Sequence, residues 1–394
     1  MSSKEVSLRI THLKLVNWKN FPFVEVDIPN RVFIVGPNAS GKSNFLLAIR
    51  FLRDLVFEGG GLRNAVRNLH GVSAIRSLSA RKHPDIEILV KIASSDEKDK
   101  FIWQYELVFN QDKFRRPIVK RERVIKTDIV TGKEEKILER PLPEDKDDPE
   151  RLAQTHLEQV TMNHKFRNIV DFFASIRYLH IVPQLIREPD RSTGRKNDPY
   201  GGDFLEQICR VPQKTQSAWL RRINQALKIA VPRLVDIELW RDERGIPHLR
   251  GKYEHWRPQG AWQNEDQFSN GTLRLIGLLW SILEGRGPLL LEEPELSLHP
   301  EIVRYIPQMF AVIQRKTKRQ IIVSTHSQEL LLDKGIGLDE VLLLLPDKEA
   351  TLVKPASSIR EAKELLAGGI SVGEIAMTHT RPERAGQLLL FGEK

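Results

Sequence analysis

The sequence predicts an α/β fold built on a mixed sheet, and three observations lead there. The apolar run Val32-Phe33-Ile34-Val35 ends in Gly36-Pro37-Asn38-Ala39-Ser40-Gly41-Lys42-Ser43, and behind it Phe45, Leu46, Ile49, Leu52 and Val56 recur at helical spacing. From residue 268 onward, short apolar strands alternate with helical patterns, the arrangement of parallel strands joined by crossover helices. Between these halves, 85–92, 101–110 and 117–126 read as three strands, so the first helix is followed by a β-rich insertion.

Taken in order, Leu8, Ile10, Leu13 and Leu15 alternate with polar residues, and Val24-Glu25-Val26-Asp27-Ile28 alternates again. The break between them is Asn17-Trp18-Lys19-Asn20-Phe21-Pro22, where Trp18 and Phe21 read as turn or core aromatics. Gly59-Gly60-Gly61 ends the first helix. Within the insertion, Lys113, Arg115, Arg116, Lys120, Arg121, Arg123 and Lys126 make a basic strip that suits a phosphate backbone and a solvated strand face alike. Residues 132–150, charged and interrupted by proline, read as a surface connection. Helical patterns follow at 150–160 and 164–176, then a strand at 178–182 and a polar loop at 187–202 containing Arg191, Arg195 and Lys196. Helices are expected at 203–210 and 214–230, and strands near 234–241 and 247–254. No heptad pattern persists, so no long coiled coil is expected.

In the last part, Ser269-Asn270-Gly271-Thr272 opens a helix, and the strand Leu289-Leu290-Leu291 runs into Glu292-Glu293. A helix from Pro300 to about Gln314 precedes the strand Ile321-Ile322-Val323, which runs into Ser324-Thr325-His326. Strands at 340–345 and 351–353 follow, and a last helix is started by Ser358 with Glu361 and stopped by Gly368-Gly369. Beyond it, Leu388-Leu389-Leu390-Phe391 is an apolar run expected to dock on its own head or on a partner.

Composition bounds the class. The 394 residues are 40% hydrophobic and 29% charged, enough for a sizeable core in two or three lobes. No apolar run reaches the roughly 18 residues of a membrane span, and Met1–Glu5 lack a signal-peptide core. Cys209 is the single cysteine, so a reducing, cytoplasmic location without internal disulfides is expected. The net charge of +9 favours polyanionic partners, nucleic acid among them.

The chemistry concentrates in five stretches. Strand, G-x-x-x-x-G-K-S loop and helix in that order are what a phosphate-binding loop requires. Loop N–H groups and the positive helix end face phosphates, Lys42 is placed for the β and γ phosphates, and Ser43 offers a hydroxyl to Mg²⁺. Of the two carboxylates ending 289–293, Glu292 suits a metal and Glu293 suits a water to be polarised. An apolar strand ending in acids is common by itself. His326 supplies a polar group near a γ-phosphate or serves structurally, and Ser269-Asn270-Gly271 is an anion site or an ordinary N-cap.

As an ordered set, these stretches resemble the ABC-type ATPase heads of the structural-maintenance-of-chromosomes, RecF and OLD class, most of all its short stand-alone AAA-family members. The resemblance runs from about residue 8 to 354, in outline only over 60–260. It makes Gly36–Ser43 the Walker A motif, Ser269-Asn270-Gly271-Thr272 the signature, Leu289–Glu293 Walker B, Glu295–His299 the D-loop and His326 the switch histidine. It implies ATP and Mg²⁺ as cofactors. Nucleotide contacts would come from Gly36, Asn38, Ser40, Gly41, Lys42, Ser43, Asn44 and Lys19, with Ser269 and Gly271 reaching across a homodimer or larger homo-oligomer. Ser43, Glu292 and the Q-loop candidate Gln184 would serve the metal, and Glu293, His326 and Lys42 the hydrolysis. Two departures stand out. Glu292 replaces the usual Asp, and Ser-Asn-Gly-Thr replaces the transporter-type signature, which argues against a membrane partner.

The implied organisation is an N-terminal ATPase half at 1–60, a β-rich insertion at 61–130 and a helical lobe with connecting strands at 131–265. The C-terminal ATPase half would follow at 266–356, and a helix and tail at 357–394. Three roles fit: a nucleic-acid sensor or clamp working with a separately encoded, nuclease-like effector in phage defence, a RecF-like DNA-repair ATPase, or an ATP-dependent scaffold.

Overall fold

The computed structural model describes residues 8–80, 83–94, 101–188, 198–256, 261–381 and 387. The loop cations Arg191, Arg195 and Lys196 and the run Leu388–Phe391 lie outside the described residues. In chain order the strands are β1 (Leu8–Trp18), β2 (Phe21–Asp27), β3 (Arg31–Val35), β4 (Ile86–Ser94), β5 (Phe101–Gln111), β6 (Pro117–Asp128), β7 (Glu134–Arg140) and β8 (Arg177–Leu179). They continue as β9 (Leu234–Arg241), β10 (Pro247–Tyr253), β11 (Ala261–Asn264), β12 (Leu289–Glu292), β13 (Ile321–Thr325), β14 (Val341–Asp347) and β15 (Ala350–Pro355). The chain divides into two units, 1–177 with 286–290 and 307–394, and 178–285 with 291–306.

The chain forms two six-stranded sheets, the first of them wholly within the first unit. That one has the order β2-β1-β4-β5-β6-β7 and is antiparallel throughout. The β-rich insertion thus continues the sheet opened by the β1–β2 hairpin. The other has the order β15-β14-β3-β13-β12-β8, with β3 parallel to both β13 and β14. All five residues of β3 are buried, as a central parallel strand covered on both faces requires.

The helix Lys42–Val56 follows β3 and buries Phe45, Leu46, Ile49, Leu52 and Leu55. Its Phe51 packs edge-on against Trp18 of β1, centroids 5.3 Å apart, and stacks on Phe109 of β5 at 5.6 Å. Trp18 and Phe21 are both fully buried core aromatics. Each such ring contributes about 1.5–3 kcal/mol by leaving water.

Four local expectations are corrected. The connection at 132–150 contains β7, because pairing with β6 sets Glu135 opposite Lys126 and Glu139 opposite Arg123. The helix expected from Pro300 to Gln314 is broken into Pro300–Val303 and Ile306–Thr317. The strand expected at 178–182 closes after Leu179, where His180 N and Val182 N donate instead to Pro199 O at 2.8 Å and Tyr200 O at 3.0 Å, before the helix Pro183–Arg187. The Ser358–Glu361 capping box does not form. Ser358 bonds Pro355 O instead, and the box that closes is Ser371 with Glu374, heading a further helix, Val372–Thr380.

The second unit packs the antiparallel sheet β11-β10-β9 with the helices Phe204–Arg210, Gln213–Ala230 and Asn270–Leu283. Its core gathers Leu220, Ile223, Leu227, Leu234, Ile237, Leu249, Leu273, Ile276 and Trp280. Among the described residues, no helix is long and apolar enough to cross a membrane.

Candidate nucleotide-binding site

In the first unit, Val35 at the end of β3 pairs with Thr325 at the end of β13 and with Leu343 of β14. The strands are parallel, so Gly36 and His326 leave the sheet at the same end, one residue beyond a paired position. They line a common cleft of about 1160 Å³ with Pro37, Asn38, Gln328 and the C-terminal helix residues Glu374, Met377 and Thr378. His326 and Asn38 are exposed at it.

The loop curls back on its own cation. Lys42 is 6% exposed, and its Nζ donates to Gly36 O at 2.9 Å and to Pro37 O at 3.2 Å. Ala39 and Gly41 adopt φ of 63° and 96°, turning successive amides to one side. The helix that begins at Lys42 has neither a side-chain N-cap nor an acidic residue in its first turn. Ser43 is exposed, and the buried Ser40 Oγ has no hydrogen-bond partner. Uncapped amides, a cation and hydroxyls at a helix start are the donor set of a polyphosphate site.

The β1–β2 turn braces this loop from below. Asn20 Nδ2 donates to Ser40 O at 2.8 Å and to Thr351 Oγ1 at 2.7 Å, and Asn20 Oδ1 accepts from Asn44 at 2.8 Å. Trp18 Nε1 donates to Asn44 O at 2.8 Å. Lys19 points elsewhere, its Nζ on Ala74 O at 3.0 Å, and burial lowers its pKa. Asn20 was missed as a bracing residue although its motif was visible, because neighbouring residues of a turn point in different directions.

The second unit carries the remaining stretches. Glu292 closes β12, and its Oε2 accepts a short hydrogen bond from the Tyr178 hydroxyl. Glu293 has φ of 44° immediately before Pro294, where the proline ring disfavours helical-type angles. Such a conformation costs on the order of 1–3 kcal/mol and is held by its surroundings. Arg274, on the helix Asn270–Leu283, is held below its usual pKa by burial, opposed by the carboxylates of Glu293 and Glu295. Neither Tyr178 nor Arg274 had a sequence signal, since each is defined only by its distant carboxylate.

Ser269 is exposed and caps that helix, its Oγ accepting from Thr272 N at 3.1 Å. Gly271 has a packing role as well. A Cβ there would lie 2.5 Å from Ser297 O in the turn after Glu295. Gln184 is exposed on the short helix Pro183–Arg187. Ser43 and Glu292 are hard oxygen donors of the type Mg²⁺ takes.

Three of the seven cations of the basic strip are paired with carboxylates. Arg116 pairs with Asp112 at 2.8 Å and Glu150 at 3.0 Å, Arg121 with Glu106, and Arg123 with Glu139 at 2.7 Å. These pairs support the solvated-face reading.

Among solved structures, the chain is similar to the Smc head domain of Pyrococcus furiosus, with an extended coiled coil and bound to the C-terminal domain of ScpA. The identity is 15% and the TM-score 0.50, over 92% of this chain and 99% of that one. The Smc head of Pyrococcus yayanosii, with a coiled coil and joint, gives 11% and 0.48 over 92% and 99%. The SMC head domain of Thermotoga maritima gives 15% and 0.40 over 88% and 98%. No curated protein matches the chain. A family profile described as "AAA domain, putative AbiEii toxin, Type IV TA system" matches residues 31–333, from the strand that leads into the phosphate loop to beyond His326. The chain therefore belongs to that AAA-domain family and has the fold of an ABC-type, SMC-like ATPase head.

Proposed function

We propose that this chain binds and hydrolyses ATP, dimerises around it, and acts as a nucleic-acid-linked sensor or clamp with a separate effector of nuclease type. The observation that carries the ATPase reading is the loop itself: Lys42 held over its own carbonyls at an uncapped, acid-free helix start. The family match supports the same chemistry, and the head of P. furiosus, seen bound to another protein, supports a protein partner. The net charge of +9 supports the nucleic-acid link.

In this mechanism Lys42 and the loop amides hold the charge that develops on the phosphates. Asn38, Ser40 and Asn44 line the phosphate path, and His326 contacts the γ-phosphate from the cleft rim. Glu293 accepts the proton of the attacking water. Ser269 and the Gly271 amide complete the site from the facing subunit. Ser43 and Glu292 would hold Mg²⁺, which when bound neutralises the β and γ phosphates.

Glu293→Gln tests the reading. The variant is expected to bind ATP, lose at least about 100-fold in hydrolysis, and sediment as a dimer or larger species with ATP. Undiminished hydrolysis removes Glu293 from its role, and an unchanged mass removes the ATP-linked dimer. Lys42→Ala is expected to abolish ATP binding in calorimetry.

A further inference from the structure

We infer that the exposed face of the helix Gln213–Ala230 binds the phosphate backbone of duplex DNA. The inference rests on the nucleic-acid link proposed above and names its surface. This helix carries Lys214, Arg221, Arg222 and Lys228 and no Asp or Glu. Lys214, Arg221 and Lys228 are spaced by seven residues, so they drift only about 20° per step and form a row about 21 Å long. All four cations are exposed. Leu220, Ile223 and Leu227, on the other side, are locked into the core of the unit. Apolar packing therefore fixes which way the charge points.

The sequence's basic strip, unlike this helix, is interleaved with carboxylates. There, Arg116, Arg121 and Arg123 are engaged by Asp112, Glu106 and Glu139. Among the described residues, no salt bridge engages any cation of the long helix, and Arg221 Nε donates only to its own helix, at Ser217 O. A cation without a carboxylate partner keeps its full attraction for a polyanion and releases counterions when it binds one.

The chemistry selects among polyanions. A membrane-surface helix needs its apolar face for lipid, and here that face is buried in protein. Single strands are held by aromatic stacking, and the exposed row is Lys214, Ser217, Arg221, Gln225 and Lys228, with no ring among them. A straight, rigid row of cations matches a stiff duplex, read without regard to sequence.

The test uses the full chain and fluorescence anisotropy with a labelled random-sequence DNA duplex over a range of salt. The variant Lys214→Gln, Arg221→Gln, Lys228→Gln is expected to bind at least about tenfold more weakly at low salt. Its slope of log affinity against log salt should shrink by about 3, at roughly 0.9 for each phosphate that is no longer neutralised. A control, Arg315→Gln, Lys316→Gln, Lys334→Gln, removes the same charge from other exposed positions and is expected to keep the slope. An unchanged slope in the helix variant, or an equal change in the control, overturns the surface and leaves the nucleic-acid link standing. Absence of salt-dependent duplex binding by the wild type overturns both, with the ATPase reading untouched. Tighter binding to single-stranded DNA, to an anionic vesicle or to a polyglutamate peptide, abolished in the same variant, overturns the choice of duplex.

Discussion

Asn20 occupies the space that a side chain on Gly41 would need: its Nδ2 lies 2.2 Å from the position of a Gly41 Cβ. The second glycine of the phosphate loop is therefore required twice, once by φ of 96° and once by the bracing amide of the β1–β2 turn. The loop and the turn are one device, although twenty residues separate them in sequence.

Gly41→Ala is accordingly expected to displace the loop. The left-handed angle alone costs about 1–2 kcal/mol for an alanine, and the overlap with Asn20 adds to it. Calorimetric ATP affinity should fall by about tenfold or more, with a lower melting temperature. An alanine variant with wild-type affinity and stability would show that Asn20 does not brace the loop.

The Tyr178–Glu292 hydrogen bond carries a second expectation. Glu has one more rotatable bond than Asp, and the phenol fixes where its carboxylate points. Tyr178→Phe is expected to raise the Mg²⁺ concentration needed for half-maximal hydrolysis by about tenfold, the usual scale for a group that orients a metal ligand. ATP affinity measured in excess EDTA should stay as in the wild type. An unchanged Mg²⁺ dependence refutes the positioning role, whatever happens to the rate.

Acid sensitivity is expected from the clasp that joins β6, β7 and the short helix Pro143–Asp147. Arg140, fully buried, bonds Glu122 at 3.2 Å and Asp145 at 2.9 Å. Burial, reinforced by the charge of Arg140, lowers the His156 pKa from 6.5 to about 4. The imidazole stays neutral in the folded chain while it would charge in the unfolded one. Its stabilising effect is complete above pH 6.5 and is lost as pH falls through about 4. Asp145 is opposed by burial but held down to about 2 by Arg140, so its contribution, present above 3.8, disappears on the way to about 2. Melting temperatures at pH 7 and pH 5 should therefore differ more for the wild type than for His156→Gln. Equal differences in the two proteins would remove His156 as the cause.

The sequence by itself determined what depends on neighbours along the chain. The run Val32–Val35, the glycine loop and the helix behind it are local, because backbone angles, amide direction and apolar periodicity are properties of consecutive residues. The same holds for β4, β5 and β6, and for the alternation that makes β3, β13 and β14 parallel. Tertiary structure alone decided what depends on partners far away. The charged segment Glu134–Arg140 became a strand because β6 offered opposite charges across the ladder. Arg116, Arg121 and Arg123 of the basic strip came to face Glu150, Glu106 and Glu139, while among the described residues no salt bridge engages the cations of the helix Gln213–Ala230. Asn20 came to lie under Gly41, and Tyr178 on Glu292, only through folding. Local sequence specifies which groups exist and how the backbone turns. Whether a charge is neutralised or an oxygen oriented depends on distance through space, which only the packed chain supplies.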